Sequence, residues 1–463
     1  MHASETEFVT TTTTRAATAR EGAAPALTVA LVDWSQLLED YLDNIGVSFE
    51  SFRDEMTGGW MFGYVEALRL AGVRAVLFCV SARVTETERF THAPTGAALR
   101  VLPAPRAYRR LRRRVLNPYA TTVEEAVGVV EGRARRACWS AARELMPYLS
   151  TPVVALAREL RRERCDALLV QDYEHGRFDI CLALGRLTGR RVYATFQGGD
   201  FSHGRLERVT RRRSLRQADG FVVAGRGEAE RLRERYGLTD EKIARVFNPL
   251  DLSEWRPGDR AAARAALGIP ESARVVVWHG RVDFRRKGLD VLLEAWRRVC
   301  FERPDGDLRL FLVGAGNDTE ELRAAVSKAS AEGVRGLVRV DEYVTGRGRL
   351  RAYLRAADVY AFPSRHEGFA VAPLEAMACG LPVVAADAPG VPDLLEGGED
   401  SGGILVPRGD ASAFAAAIVR LLDDEALRLA LGARARARVA GEFALEAVGL
   451  RLRDFMLKGG CQD

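Results

Sequence analysis

Short apolar runs recur along the chain, each closed by a glycine or polar loop that leads into a helix-forming block. Residues 27–32 (L-T-V-A-L-V), 75–80, 167–170, 191–196 and 219–224 make a first series. Residues 275–278, 310–313, 338–340, 357–362 and 383–386 make a second. Strand, helix and strand at this spacing imply parallel sheets with helical crossovers. A chain of 463 residues is too long for one ordinary core, so two domains are expected. The expectation is an α/β protein of two doubly wound halves: a flexible tail at 1–24, a first domain at 25–250, a second at 251–438, and a last helix and tail at 439–463. The linker is read at Phe247, Asn248, Pro249, Leu250 and Asp251, then at Trp255, Arg256, Pro257 and Gly258.

Composition narrows the class. Apolar residues make up 47% and charged residues 28%, the balance of a globular chain rather than a disordered one. The net charge of +5 is a small difference between 68 basic and 63 acidic residues, so nucleic acid is not an expected partner. Seven cysteines are scattered without a C-x-x-C pair, which argues against a disulfide framework or a zinc site. Residues 1–24 hold no apolar signal core and 26–32 is too short to span a bilayer, so a cytoplasmic protein is expected. Residues 104–150 are irregular in pattern and basic, with Arg106, Arg109, Arg110, Arg112, Arg113 and Arg114 close together. A solvated helix face accounts for such a run; the sharper alternative is peripheral contact with an anionic membrane, at the inner face of the cell membrane.

The densest chemistry lies in R-H-E-G-F-A-V-A-P-L-E-A-M, from Arg365 to Met377. Glu367 and Glu375 flank a glycine turn between an apolar run and a helix start, the place where open α/β sheets bind ligands. Pro373 suits the first helical position, which would put Glu375 in the first turn, able to accept hydrogen bonds from a ribose diol. Glu367 lies in the loop, where backbone N–H groups of Gly368, Phe369 and Ala370 can meet a phosphate or sugar oxygen. Upstream, His279-Gly280-Arg281 and then Lys287-Gly288 follow the first strand of the second series. A guanidinium and an ammonium at a strand end suit a diphosphate. Gly314-Ala315-Gly316 is a tight turn after another strand, and it lacks the third glycine of a dinucleotide fingerprint. Gly58-Gly59 opens a helix in the first half and offers backbone donors to an anion. Taken singly, each of these has an ordinary explanation as a loop charge, a helix cap or a turn.

Their order in one half-chain is what overrides those explanations. The set Gly280-Arg281…Lys287-Gly288, Gly314…Gly316, Pro363-Ser364…Glu367-Gly368-Phe369…Glu375-Ala376…Gly380…Pro382-Val383-Val384 and Gly403-Ile404-Leu405-Val406-Pro407-Arg408-Gly409-Asp410 resembles the retaining glycosyltransferases of the GT-B fold, family 4 (glycosyl transferases group 1). That resemblance implies two Rossmann-like domains facing across a cleft, with a helix near 446–457 crossing back to the first. The first domain would bind the acceptor and the second the nucleotide sugar. The implied reaction moves a hexose or derivative from a nucleotide diphosphate sugar, UDP-sugar ahead of GDP-sugar, to a hydroxyl acceptor by front-face attack, without metal or other cofactor. Arg281 and Lys287 would hold the diphosphate, Glu375 the ribose and Glu367 the transferred sugar. Gly59, Gly280, Gly314, Val344, Gly368, Phe369 and Ala370 would complete the donor site.

One departure concerns the acceptor side. Many family members carry a histidine where this chain has Gln197, ahead of Gly198, Gly199 and Asp200, so Gln197 and Asp200 are expected to face the acceptor. Glutamine can hydrogen-bond a sugar but cannot exchange a proton near neutral pH. His175, in the loop after the preceding strand, is the candidate replacement and is counted with Arg281, Lys287 and Glu367 among the catalytic residues. The acceptor stays open between a sugar, a lipid-linked glycan and a small metabolite. Alternative readings are another reaction on nucleotide sugars, by an epimerase or sugar synthase, and a catalytically silent nucleotide-sugar-binding module.

Overall fold

The computed structural model describes residues 27–33, 35–57, 59–118, 120, 122–196, 205–334, 337–341, 347–367 and 370–458. Eight strands form the first sheet: β1 (Thr28–Val32), β2 (Arg74–Ser81), β3 (Glu88–Thr91), β4 (Ala98–Pro103), β5 (Ala167–Gln171), β6 (Arg191–Phe196), β7 (Gly220–Val223) and β8 (Ile243–Arg245). Their spatial order is β3-β4-β2-β1-β5-β6-β7-β8, all parallel except the β3–β4 pair. Six form the second: β9 (Arg274–His279), β10 (Leu308–Val313), β11 (Leu337–Asp341), β12 (Val359–Phe362), β13 (Val383–Ala386) and β14 (Gly403–Val406). These are ordered β11-β10-β9-β12-β13-β14 and are parallel throughout.

The apolar runs become strands because both faces of each sheet are covered. In β1, Val29 and Leu31 join one core cluster while Ala30 and Val32 join the cluster on the opposite face. In β9, Val275 and Val277 pack on one side, Val276 and Trp278 on the other. Strand order reverses between β1 and β5 in the first sheet, and between β9 and β12 in the second. At such a reversal the neighbouring loops diverge to opposite faces and leave a crevice beyond the strand ends.

Two connections join the halves. The backbone N–H of Leu250 donates to the Phe443 carbonyl at 2.7 Å, and the Phe247 and Phe443 rings stack at 4.3 Å. The last helix, Leu445–Lys458, then returns to the first domain, where Val448, Leu452 and Met456 are buried with Tyr64, Ala67 and Leu68 of helix Gly59–Leu70. Gly449 allows the close contact, since a Cβ there would stand 1.9 Å from the Ala67 carbonyl oxygen.

Two readings are corrected. Residues 104–150 are not irregular: they hold helices Arg106–Arg112, Val123–Val127 and Arg133–Leu149. The second begins with a capping box between Thr122 and Glu125. Within the basic run, Arg112 faces inward, paired with Asp40 and donating to the Val115 carbonyl, while Arg106, Arg110, Arg113 and Arg114 are exposed. Trp255 is not a free linker residue, being buried with Phe247 and Leu250 in the second domain's core. Among the described residues, no helix is long and apolar enough to cross a membrane.

The Gly449 contact yields a stability test. Gly449→Ala should lower unfolding free energy by about 1–3 kcal/mol through overpacking. Gly441→Ala, in the preceding helix with open space around it, should be neutral or stabilise by up to about 1 kcal/mol. Denaturant titration of the two variants checks the opposite signs.

Candidate functional site

The loops at the C-terminal ends of β9, β10 and β12 are packed backbone to backbone. A Cβ on Gly314 would lie 1.9 Å from the Gly280 carbonyl oxygen, and one on Gly288 would lie 2.0 Å from that of Pro363. Gly314 has φ 151° and Gly288 φ 66°, so neither position would tolerate a side chain. Hydrogen bonds hold the same loops together: Gly280 N–H to Val313 O at 3.1 Å, Val282 N–H to Ala315 O at 3.1 Å, and Arg365 N–H to Arg286 O at 2.9 Å.

This frame places four predicted side chains around the crevice between β9 and β12. The Lys287 ammonium lies 2.7 and 2.9 Å from the two Glu367 carboxylate oxygens, and the Ser364 hydroxyl donates to Oε1 at 2.6 Å. The pair is largely buried, 17% exposed at Lys287 and 7% at Glu367. The Arg281 guanidinium is exposed and has no ion-pair partner among the described residues, on a backbone pinned at both neighbours. Glu375 accepts from His279 Nε2 at 2.8 Å. His279, the last residue of β9, is buried beneath the loops, and the Tyr360 hydroxyl donates to its carbonyl at 3.2 Å.

The helix carrying Glu375 corrects one expectation. It runs Val371–Ala378 with Ala370 as N-cap, so Pro373 is its third residue and Glu375 lies beyond the first turn. Proline is tolerated there because every N–H of the first turn lacks an intrahelical acceptor. Ala370 is buried in the second core, while Gly368, Phe369 and Val344 lie outside the described residues. Gly59 opens its helix as expected; its neighbour Gly58 lies outside the described residues.

In the first domain the crevice between β1 and β5 is lined differently. Gln197 and Asp200 lie outside the described residues. His175 is the N-cap of helix Gly176–Thr188, with its Nε2 3.8 Å from Asp172, beyond hydrogen-bond range. Burial, aided by the Arg177 and Arg211 charges, holds the His175 imidazole down to about 4. Asp172 adopts φ 67°, a left-handed conformation that Asp accepts more readily than most residues. Burial, with Glu174 and Glu228 nearby, pushes its carboxyl up to about 7. Arg177, buried, donates to the Asp33 carbonyl at 2.7 Å and the Gln36 carbonyl at 3.0 Å, tying the β5 loop to the β1 loop. Tyr173 packs with Phe196 and Phe221 in the core.

His279, Ser364 and Asp172 were assigned no role from the sequence. His279 and Asp172 had a legible signal, a polar residue directly beyond an apolar run. Which partner each would meet was not legible, because Glu375 is 96 residues from His279.

Comparison with known proteins matches the profile described as Glycosyl transferases group 1 to residues 273–424, and Glycosyltransferase Family 4 to residues 61–254. A D-inositol 3-phosphate glycosyltransferase of Saccharomonospora viridis is 34% identical over 52% of this chain and 56% of its own length. A D-inositol 3-phosphate glycosyltransferase 1 of Catenulispora acidiphila is 37% identical over 50% and 55%. The chain thus spans about half the length of the curated relatives it matches. In fold it is similar to sucrose-phosphate synthase of Thermosynechococcus elongatus, with TM-score 0.61, 21% identity, and coverage of 93% and 98%. The Anabaena protein Alr3699/HepE in complex with UDP gives TM-score 0.61, 16% identity, and coverage of 93% and 100%.

The Asp172–His175 pair sets opposed pH dependences. Asp172, raised from about 4, keeps a proton in the folded chain that the unfolded chain has released, so it lowers stability as pH rises from about 4 to about 7. His175, lowered from about 6.5, refuses a proton that the unfolded chain takes, so it raises stability as pH rises from about 4 to about 6.5. Asp172→Asn removes the first effect. Its urea midpoint should therefore climb more steeply than wild type between about pH 4.5 and about pH 6.5; an unchanged slope would refute the assignment.

Proposed function

Because this chain belongs to the family 4, group 1 glycosyltransferases, we propose that it transfers a sugar, with retention, from a nucleotide diphosphate sugar to a hydroxyl acceptor. The observation that carries the reading is the convergence of Arg281, Lys287, Glu367 and Glu375 on one strand-order reversal. The Arg281 fork and the one remaining N–H donor of Lys287 meet the diphosphate, with no metal or other cofactor. Glu367, oriented by Ser364 and Lys287, accepts from hydroxyls of the transferred sugar. Glu375 accepts from the ribose, and Val344, Gly368 and Phe369 are assigned to the donor side. The bond from the anomeric carbon to the phosphate oxygen breaks, the acceptor oxygen bonds the same face, and the departing phosphate oxygen takes the acceptor's proton. Charge developing on the diphosphate is stabilised by side chains already in place.

A uridine nucleotide is the first choice of donor, supported by UDP in the similarly folded Anabaena protein; guanosine is the second. The acceptor binds on the first domain near His175, Gln197 and Asp200. With its imidazole held down to about 4, His175 is neutral near pH 7 and serves as a hydrogen-bonding group, not a proton carrier. The relatives' name makes an inositol phosphate the first acceptor to try. A cytoplasmic location is proposed, with Arg106, Arg110, Arg113 and Arg114 available to an anionic membrane face if the acceptor is lipid-linked.

Incubation with a panel of nucleotide sugars and acceptors, followed by nucleoside diphosphate release and product mass spectrometry, tests the reading. Tight binding without release from any donor would favour a silent binding module. Lys287→Ala should lower kcat/KM by about 100-fold or more, on the order of 2.7 kcal/mol of transition-state stabilisation. Unchanged turnover would remove Lys287 from the diphosphate site.

A further inference from the structure

We propose that His279 is a positioning residue that sets the ribose selectivity of the site by holding the Glu375 carboxylate in one orientation. The inference rests on the ribose role proposed for Glu375 and adds a group that acts through it. His279 closes β9, so its backbone is fixed by the sheet, and its ring stands edge-on to the Tyr360 ring at 5.3 Å and 64°. The Tyr360 hydroxyl fixes the His279 carbonyl at 3.2 Å, and burial against the Tyr360 ring leaves the imidazole little freedom. Nδ1 is buried without a hydrogen-bond partner among the described residues, while Nε2 lies 2.8 Å from Glu375 Oε2. The tautomer with its proton on Nε2 is therefore the one that satisfies the carboxylate.

The consequence for the carboxylate is geometric. Glu375 is 19% exposed at its side chain, with Oε2 engaged by the buried imidazole and Oε1 without a hydrogen-bond partner among the described residues. One oxygen with two lone pairs can accept from both hydroxyls of a vicinal diol, provided the carboxylate does not rotate. A glutamate on a helix otherwise has several rotamers, and ordering it on binding weakens the interaction. An imidazole that orders a carboxylate in advance raises the penalty for a ligand lacking one hydroxyl, because the oriented acceptor is then left unpaired.

The test compares binding of uridine diphosphate and 2′-deoxyuridine diphosphate to the full chain by calorimetry, with the guanosine pair used if uridine does not bind. Wild type should prefer the ribonucleotide by about tenfold or more. His279→Phe, which keeps the ring packing but donates no hydrogen bond, should bring the ratio to within about threefold of unity. His279→Gln, which can donate to Glu375, should recover most of it. If the phenylalanine variant does not fold, His279→Ala carries the same comparison. Glu375→Ala separates the two claims. If it loses the preference while His279→Phe keeps it, the positioning role is wrong and the ribose role stands. If Glu375→Ala keeps the preference, the ribose role itself fails. An equal loss of affinity for both nucleotides in His279→Phe would mark a structural role only and would overturn the proposal.

Discussion

Main-chain contact between the loops at the C-terminal ends of β9, β10 and β12 is the constraint on which the candidate site depends. Carbonyl oxygens of Gly280 and Pro363 occupy the space where Gly314 and Gly288 would carry a Cβ. A side chain at either glycine would push the loops apart by ångströms, and Lys287 and Glu367 ride on those loops. Their ion pair therefore reports the loop packing as much as it adds to it. Because a largely buried pair is costly to separate, the same contact discourages either side chain from leaving the crevice.

The two crevices differ in how they treat charge. In the second domain, Arg281 is exposed, while the carboxylates of Glu367 and Glu375 are each oriented by a neighbour and remain partly accessible. That arrangement suits a polyanion bearing hydroxyls. In the first domain the charges largely satisfy one another. Arg211 pairs with Asp179 at 3.1 Å, Arg231 with Glu174 and Glu228 at 2.6 and 2.7 Å, and Arg177 is spent on backbone carbonyls. Beside them, burial holds the His175 imidazole down to about 4.

The joint between the halves is built from contacts unlike those within them. Asp393, in the loop after β13, accepts from the Arg226 backbone N–H at 3.0 and 3.1 Å and from the Arg245 side chain at 3.0 Å. Arg438 holds the same loop through the Asp393 and Leu394 carbonyls. The crossover helix, by contrast, is anchored by apolar burial and by the Tyr193 hydroxyl on the Met456 carbonyl at 3.0 Å. Apolar packing locates the last helix; polar contacts, which can exchange with water, line the face between the domains.

Much of the architecture was legible in the chain because fully buried parallel strands need continuous apolar runs. β1, β2, β5, β6, β9, β10, β12 and β13 all show them. β3, β4, β8 and β14 did not announce themselves: β3 is a partly exposed antiparallel edge strand, β8 is three residues long, β14 is four, and β4 carries Arg100 within its run. Residue types and spacing determined which side chains could bind a nucleotide sugar, since Arg281, Lys287, Glu367 and Glu375 follow strand ends in a recognisable order. Only the tertiary structure decided that Lys287 meets Glu367 across 80 residues, that His279 meets Glu375 across 96, and that Glu375 lies beyond the first helical turn. Local pattern reports periodicity along one segment. Pairings across the crevice are set by sheet order and by how closely glycine lets two loops approach, and neither is encoded in any single segment.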